Sequence, residues 1–513
     1  MSEAVQPAQK PAGPAARSLG AAARSAIFWS GGATLARDVL QFAVMLALVR
    51  ILTPSDYGRV ALAQSIIGLM SVVSFSMFVG HALQMRDPSQ VDWQAHFTAA
   101  AVLNSALFLL ACAVAWGLSF SARYHEAAWP LAGLATTFLV EIAGSLRLRM
   151  LETRHDWKRF RLLVMAGAAL GLCVGLAVAA LGGGCWGLVA QPPLFGVPAA
   201  IDLFVGARWR PTWSWSWSAY RPTAAFGANR AGGAAVVKLR QTVEQSLLAG
   251  RYDFAALGVF TRSLGLATLL AGRLGELATA SVYPVITRAA PGSPQFQRYA
   301  GLVMRAISWA TLAAAGFLTL AAVDVTALIY GARWRAVGPL LPVAVAPVAL
   351  VGLGAAANTL LLANNQVRAC LVLDVAAAST SALVAFVLVP FGPTTYLEGL
   401  AVHSGLVLAA TLALLMGRGG VGMADVAAAL VPPAIAAALA AAPVLALKPH
   451  LAAEPILLRL PLEFALFTLV YLLVLRIAFA GPLAELLQVA PAGERLSKLL
   501  RVRPAPAPAF SAP

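Results

Sequence analysis

The sequence predicts an all-α polytopic membrane protein of about 14 transmembrane helices, ordered as two six-helix bundles with two further helices behind them. Three observations predict this. Hydrophobic residues fill 60% of the 513 positions and charged ones only 11%, too few to clothe a soluble surface but ample for helices whose outer faces meet lipid. Apolar runs of about twenty residues or more begin near residues 24, 59, 94, 129, 160, 184, 222, 256, 297, 336, 366, 395, 424 and 457. Finally, landmarks of the first six runs return in the next six.

The landmarks are two corners. Ala122-Arg-Tyr-His-Glu-Ala-Ala-Trp-Pro-Leu131 precedes the fourth run, and Ala332-Arg-Trp-Arg-Ala-Val-Gly-Pro-Leu340 precedes the tenth. With one inserted residue they share Ala-Arg-aromatic and Ala-x-x-Pro-Leu. The first run leaves through Leu52-Thr-Pro-Ser-Asp-Tyr-Gly58 and the seventh through Leu248-Ala-Gly-Arg-Tyr-Asp-Phe254. Six spans separate each pair, so parallel repeats are expected. The resulting division is 1–23 as a disordered N-terminus, 24–205 and 222–416 as the two bundles, and 206–221 as a linker. Residues 424–480 supply the two added helices, and 481–513, which runs into Pro-Ala repeats, is expected to be a disordered tail.

An even number of crossings places both termini on one side, and Lys and Arg, which collect in cytoplasmic loops, identify it. With the N-terminus inside, 22 cations lie on that side and 8 on the other. Both termini are therefore expected in the cytoplasm. The net charge of +16 reads as topology and contact with anionic lipid headgroups; no basic stretch sits on a polar domain, which argues against nucleic acid as a partner. The first residues lack a short apolar core with a cleavage site, so no cleaved signal peptide is expected.

Cations also stand inside the runs, where a charge costs several kcal/mol unless it faces protein or water. Arg37 lies in the first, Arg230, Lys238 and Arg240 in the seventh, and Arg262 and Arg273 in the eighth. On a helix Arg230, Arg240 and Glu244 share an arc of about 80°, and Arg262, Arg273 and Glu276 one of about 60°. Thr34, Arg37 and Gln41 share a third face. Such stripes suit an anionic cargo, because guanidinium forks and ammonium groups replace the water around phosphate oxygens. Arg240 with Glu244 and Arg273 with Glu276 are also spaced for internal bridges. Arg37 adjoins Asp38, but neighbours on a helix diverge by about 100°, so mutual neutralisation is less expected there than for those two pairs. Arg230 and Lys238 have no acid nearby in sequence. Asp38, Glu244 and Glu276 are candidates for ion coupling or charge pairing, and Glu141, Asp374 and Glu463 are further acids within the runs.

Other features carry less. Trp213, Trp215 and Trp217 alternate with serine, which puts three indoles on one face of an extended linker and suits the headgroup layer. Cys112, Cys173, Cys185 and Cys370 lie in or beside apolar spans without metal-ligand spacing, and the histidines have no ligand-spaced neighbours; no metal or cofactor is expected. Gly182-Gly-Gly184 lacks the Lys-Ser/Thr of a phosphate loop and reads as a tight turn.

One family resemblance rests on specific corners. Leu48-Val-Arg-Ile-Leu-Thr-Pro-Ser-Asp-Tyr-Gly58 resembles the first helical hairpin of bacterial polysaccharide flippases, as do Phe226-Gly227, Leu248-Ala-Gly250 and Ala256-Leu-Gly-Val-Phe-Thr-Arg262 farther on. Val282-Tyr-Pro284 and Leu328-Ile-Tyr-Gly-Ala-Arg-Trp334 continue the match, which covers roughly residues 25 to 480. The chain departs at Thr53, where the family usually has Gly, and an Asp common on the seventh helix is Glu244 here or shifted. The resemblance implies the oligosaccharide-exporter (MOP, MATE-like) fold, with two bundles around a central cavity lined by the first, second, seventh and eighth helices. It further implies a bacterial inner-membrane flippase that moves undecaprenyl-diphosphate-linked oligosaccharide to the periplasmic leaflet by alternating access, for exopolysaccharide, capsule or O-antigen. Membrane lipids, a polysaccharide polymerase and export machinery are the implied partners. A MATE-like drug/cation antiporter is the alternative, but its cargo calls for acids where bases predominate here. A polysaccharide polymerase would need catalytic loops that the chain lacks, so no enzyme is expected.

Overall fold

The computed structural model describes residues 36–74, 91–272 and 293–489. Within them the chain is helical, without strands among the described residues. The helices are α1 (36–51), α2 (Pro54–Ser71), α3 (Trp93–Ser119), α4 (His125–Thr153), α5 (Trp157–Gly183), α6 (Trp186–Gly206), α7 (Trp217–Arg251) and α8 (Phe254–Gly272). They continue with α9 (Pro294–Leu320), α10 (Ala322–Ile329), α11 (Val337–Ala363), α12 (Val367–Phe391), α13 (Pro393–Gly419), α14 (Met423–Leu447), α15 (Ile456–Ala478) and α16 (Ala480–Val489). Eleven described helices are long and apolar enough to cross a membrane. These eleven, together with α1, α2 and α7, stand one for one at the fourteen positions read from the sequence.

Helix starts follow from capping chemistry. The Thr53 hydroxyl accepts the Asp56 N–H at 3.2 Å while the Asp56 carboxylate accepts the Thr53 N–H at 3.0 Å, a capping box ahead of Pro54. At the matching corner Asp253 caps α8 by accepting the Ala256 N–H at 2.6 Å. A second pair of corners matches as well. His155 closes α4 at φ 57°, and the Asp156 N–H returns to the Leu151 carbonyl at 3.0 Å; Asn365 closes α11 at φ 61°, and the Gln366 N–H returns to the Leu361 carbonyl at 2.9 Å. Both are Schellman closures, built from different residues.

Two compact units divide the chain, Met1–Thr242 and Val243–Pro513. The boundary between them falls inside α7. α7 is bound into the first unit along most of its length: Tyr220 packs edge-on against His96, and the Thr242 hydroxyl donates to the Ser65 carbonyl at 3.0 Å. Residues 208–216 run without regular secondary structure beside α3. There the Gln94 amide donates to the Arg210 carbonyl at 3.0 Å and accepts the Thr212 N–H at 2.7 Å, while the Thr98 hydroxyl accepts the Ser214 N–H at 3.1 Å. Trp213, Trp215 and Trp217 stay exposed on this strap.

Glycine sets the closest packing of the first unit. Gly167, Gly171 and Gly175 repeat every four residues along α5, and a Cβ at Gly167 would sit 2.0 Å from the Phe195 carbonyl oxygen of α6. Small residues at this spacing let membrane helices touch backbone to backbone. At one end of the unit, buried Arg147 donates to Asp202 at 2.6 Å, and the same carboxylate accepts Arg159 at 2.6 Å.

In the second unit α9, α11, α13 and α14 share an apolar core that includes Phe296, Met304, Leu360 and Leu415. Arg305 of α9 pairs with Asp425 at 2.9 Å and with Glu485. Asp324 of α10 receives Arg459 from α15. The tail expected to be disordered from residue 481 stays helical through Val489, because Leu483 and Leu487 pack into a cluster with Trp309 and Tyr471 and Glu485 meets Arg305. The expected N-terminal segment 1–23 and the tail from residue 490 lie outside the described residues.

Candidate functional site

The polar face of α7 holds the site residue with the clearest surroundings. Lys238 is half-buried, and its Nζ donates to Gln241 Oε1 one turn along at 3.3 Å. Across from it, Gly68 of α2 presents bare backbone: a Cβ there would lie 3.6 Å from Lys238 Cδ and 3.8 Å from Nζ. The Thr242 hydroxyl bonds both the Lys238 carbonyl at 2.9 Å and the Ser65 carbonyl at 3.0 Å, which fastens α7 to α2 beside the lysine. Ser65 itself is buried, with its hydroxyl turned back to the Leu62 carbonyl at 2.8 Å. Among the described residues no carboxylate lies within ion-pair distance of Lys238. An ammonium has three donors, and only one is used among the described residues, so the site can receive an anion and has no described ligand set for a metal.

The remaining candidates divide. Arg37 is paired with Asp38, its Nη2 and Nε 2.9 and 3.2 Å from one carboxylate oxygen. Asp38 is thus the charge partner of Arg37: the arginine stem is long enough to fold back across the 100° between them, even though both side chains remain about two-fifths exposed. Arg240 and Glu244 are both engaged by neighbours, and Glu244 is buried. Arg262 lies on α8, where its backbone carbonyl accepts the Tyr330 hydroxyl at 3.3 Å and its guanidinium runs beside Gly265. Arg230 falls on α7 with its side chain outside the described part, and Arg273 and Glu276 lie outside the described residues. Thus the structure brings together Lys238, Gln241, Thr242, Ser65 and Gly68.

Sequence reasoning about charges missed four of those five. Gln241 and Thr242 stand three and four residues after Lys238, a spacing that marks one helix face and could have found them. No local signal links Gly68 to Lys238. The other acids within the runs have distinct settings: Asp374 accepts the Asn358 amide at 3.3 and 3.4 Å, and Glu463 is fully buried in α15.

Comparison with known proteins fits this architecture. Residues 47–339 match the family described as polysaccharide biosynthesis protein. The succinoglycan biosynthesis transport protein ExoT of Rhizobium meliloti (strain 1021) is 25% identical over 196 residues, a stretch that covers 37% of this chain and only 36% of ExoT. Among solved structures, the lipid II flippase MurJ in an inward closed conformation superposes with a TM-score of 0.68 at 11% identity, over 88% of this chain and 99% of MurJ. An inward-facing multidrug resistance MATE transporter of the MOP superfamily gives 0.56 at 15% identity, over 75% of this chain and 94% of that one. At such identities these likenesses concern the fold. The chain is a multi-pass membrane protein with a MurJ- and MATE-like fold, and it belongs to the polysaccharide biosynthesis protein family.

Proposed function

We propose that this protein is a flippase that carries undecaprenyl-diphosphate-linked oligosaccharide from the cytoplasmic to the periplasmic leaflet of a bacterial inner membrane, with both termini in the cytoplasm. The observation that carries the reading is Lys238: a cation on a polar helix, without a described carboxylate partner and with donors to spare. An anionic headgroup supplies the missing charge, and its diphosphate offers the oxygens that an ammonium and nearby guanidiniums bind. Arg230, Arg240, Arg262 and Arg273 are proposed to extend the cationic surface, and Arg37 contributes less because Asp38 occupies it. Glu244 and Glu276 serve as partners for cations or carry a coupling ion. Capture must be strong enough to draw the headgroup from water yet weak enough for release, which alternating exposure of one site provides. Family membership and the ExoT match support polysaccharide export as the setting, with a polymerase and export machinery downstream. A cation antiporter shares the fold, but a cationic cargo would be repelled by Lys238.

The test is flipping of a fluorescent undecaprenyl-diphosphate oligosaccharide in proteoliposomes. Lys238→Ala and Arg230→Ala, each inserted and folded normally, are expected to lower flipping about tenfold or more, the order of one lost charge-assisted contact. Wild-type flipping retained in both variants would remove these residues from the site. No flipping by the wild type across a panel of glycans would remove the cargo.

A further inference from the structure

We infer that Gly68 is a positioning residue for the cargo site: its bare backbone is the seat that aims the Lys238 ammonium. The inference rests on the reading that Lys238 meets the cargo's diphosphate, and it adds a residue that carries no charge and makes no ligand contact of its own. Three successive atoms of the lysine, Cδ, Cε and Nζ, lie 3.6, 3.9 and 3.8 Å from where a Gly68 Cβ would stand. The outer end of the side chain therefore packs over position 68, all of it within ordinary contact of where a Cβ would stand.

Two bonds keep that arrangement from relaxing. Thr242, one turn after Lys238, holds the Ser65 carbonyl at 3.0 Å, and Ser65 is almost one turn before Gly68, so α7 cannot slide along α2 without breaking the link. Gln241 holds the ammonium at 3.3 Å. A methyl group at position 68 would make ordinary contact with the lysine stem. A valine's outer carbons project about 1.5 Å farther into the space that the stem fills, and they would push the ammonium off its aim. Since both helix backbones are fastened, the lysine is the group that must move.

The experiment compares wild type, Gly68→Ala, Gly68→Val, Lys238→Ala and Gly68→Val/Lys238→Ala in proteoliposomes, with initial flipping rates read against cargo concentration. The half-saturating concentration is expected to stay near wild type in Gly68→Ala and to rise about tenfold in Gly68→Val, the order of one weakened charge-assisted contact. The maximal rate should change little. In the Lys238→Ala background the same valine should add less than about twofold, because coupled residues are non-additive. A wild-type half-saturation in Gly68→Val, or an equal penalty with and without Lys238, overturns the inference. An unaffected Lys238→Ala overturns the cargo reading instead.

A second measurement reads the seat without transport, and it also serves if Gly68→Val fails to insert. Gly68→Cys is made in a chain whose four cysteines are replaced by alanine. A thiolate beside an ammonium is stabilised, so the cysteine should react several-fold faster with an anionic methanethiosulfonate than it does when Lys238 is also alanine. Equal rates in the two backgrounds would show that the ammonium does not sit there.

Discussion

Replacing Gly167 by alanine tests the packing that holds the first unit together. The added Cβ would lie 2.0 Å from the Phe195 carbonyl oxygen and 2.9 Å from its carbonyl carbon, whereas tight but real contacts begin near 3.0 Å and ordinary ones near 3.4 Å. The obstacle is backbone and not a side chain that can swing away. To restore ordinary contact, α5 and α6 must part by about 1.4 Å at this point, and the parting spreads to Gly171 and Gly175, which pack against the same helix. Overpacking of this kind costs about 1–3 kcal/mol, and a fixed backbone obstacle places Gly167→Ala at the upper end. Membrane helices have no hydrophobic drive to pull the pair back together, so the lost contacts are not recovered. Gly352→Ala is the matched control: that glycine is also within a helix but has nothing within 4 Å of its would-be Cβ, so the same change should stabilise by about 0.5–1 kcal/mol through helix propensity. Denaturant unfolding of the two variants in one detergent should separate them by about 3.5–4 kcal/mol. Equal stability would refute the backbone contact between α5 and α6.

Two further outcomes follow from the described contacts. Arg147→Ala removes a buried partner of Asp202 and should destabilise by about 2–3 kcal/mol, since one buried charge loses a bond while Arg159 remains; Arg159→Ala, at an exposed position, should stay below about 1 kcal/mol, and equal effects in the same unfolding assay would show the carboxylate shared evenly. Gln94→Ala unfastens two backbone bonds of the strap at Arg210 and Thr212, so limited proteolysis should cut residues 208–216 several-fold faster than in wild type, and an unchanged cleavage rate would mean that the strap is held by its other contacts.

The helices were legible because a long apolar run is a one-dimensional signal: length and composition alone mark it, and tertiary packing has no say in where it begins. Lys238 stood out as a candidate for the complementary reason, as a charge where charges are scarce. Gly68 was hidden, since a glycine announces space but not what fills it. The Arg37–Asp38 pair was under-weighted because helical angles describe where Cβ points, whereas a guanidinium on a long stem reaches elsewhere. Arg147 looked like one more cation of a basic corner; its burial depends on the wide turn at Asp202–Gly206 in α6, which brings an acid to it from far along the chain. The tail after Gly481 looked featureless because Pro-Ala repeats dominate it, and the leucines at 483 and 487 become meaningful only once Trp309 and Tyr471 are there to receive them.

What the two halves keep in common also indicates where function is to be sought. Their corners are preserved as backbone chemistry and not as letters: a capping box at Thr53 is answered by a single acid at Asp253, and a left-handed histidine at 155 by an asparagine at 365. Such corners fix where helices turn, and several residue types satisfy them, so they constrain the fold while leaving the sequence free. The polar face of α7 obeys no such requirement. At 35 residues α7 is the longest described helix, yet it is absent from the eleven apolar enough to cross a membrane on composition, because it carries arginines, a lysine, glutamines and a buried glutamate along its length. Folding alone would be better served by leucine at most of those positions. A helix that accepts that burden, and that is fastened to α2 beside its lysine, is where the proposed charged headgroup would have something to bind.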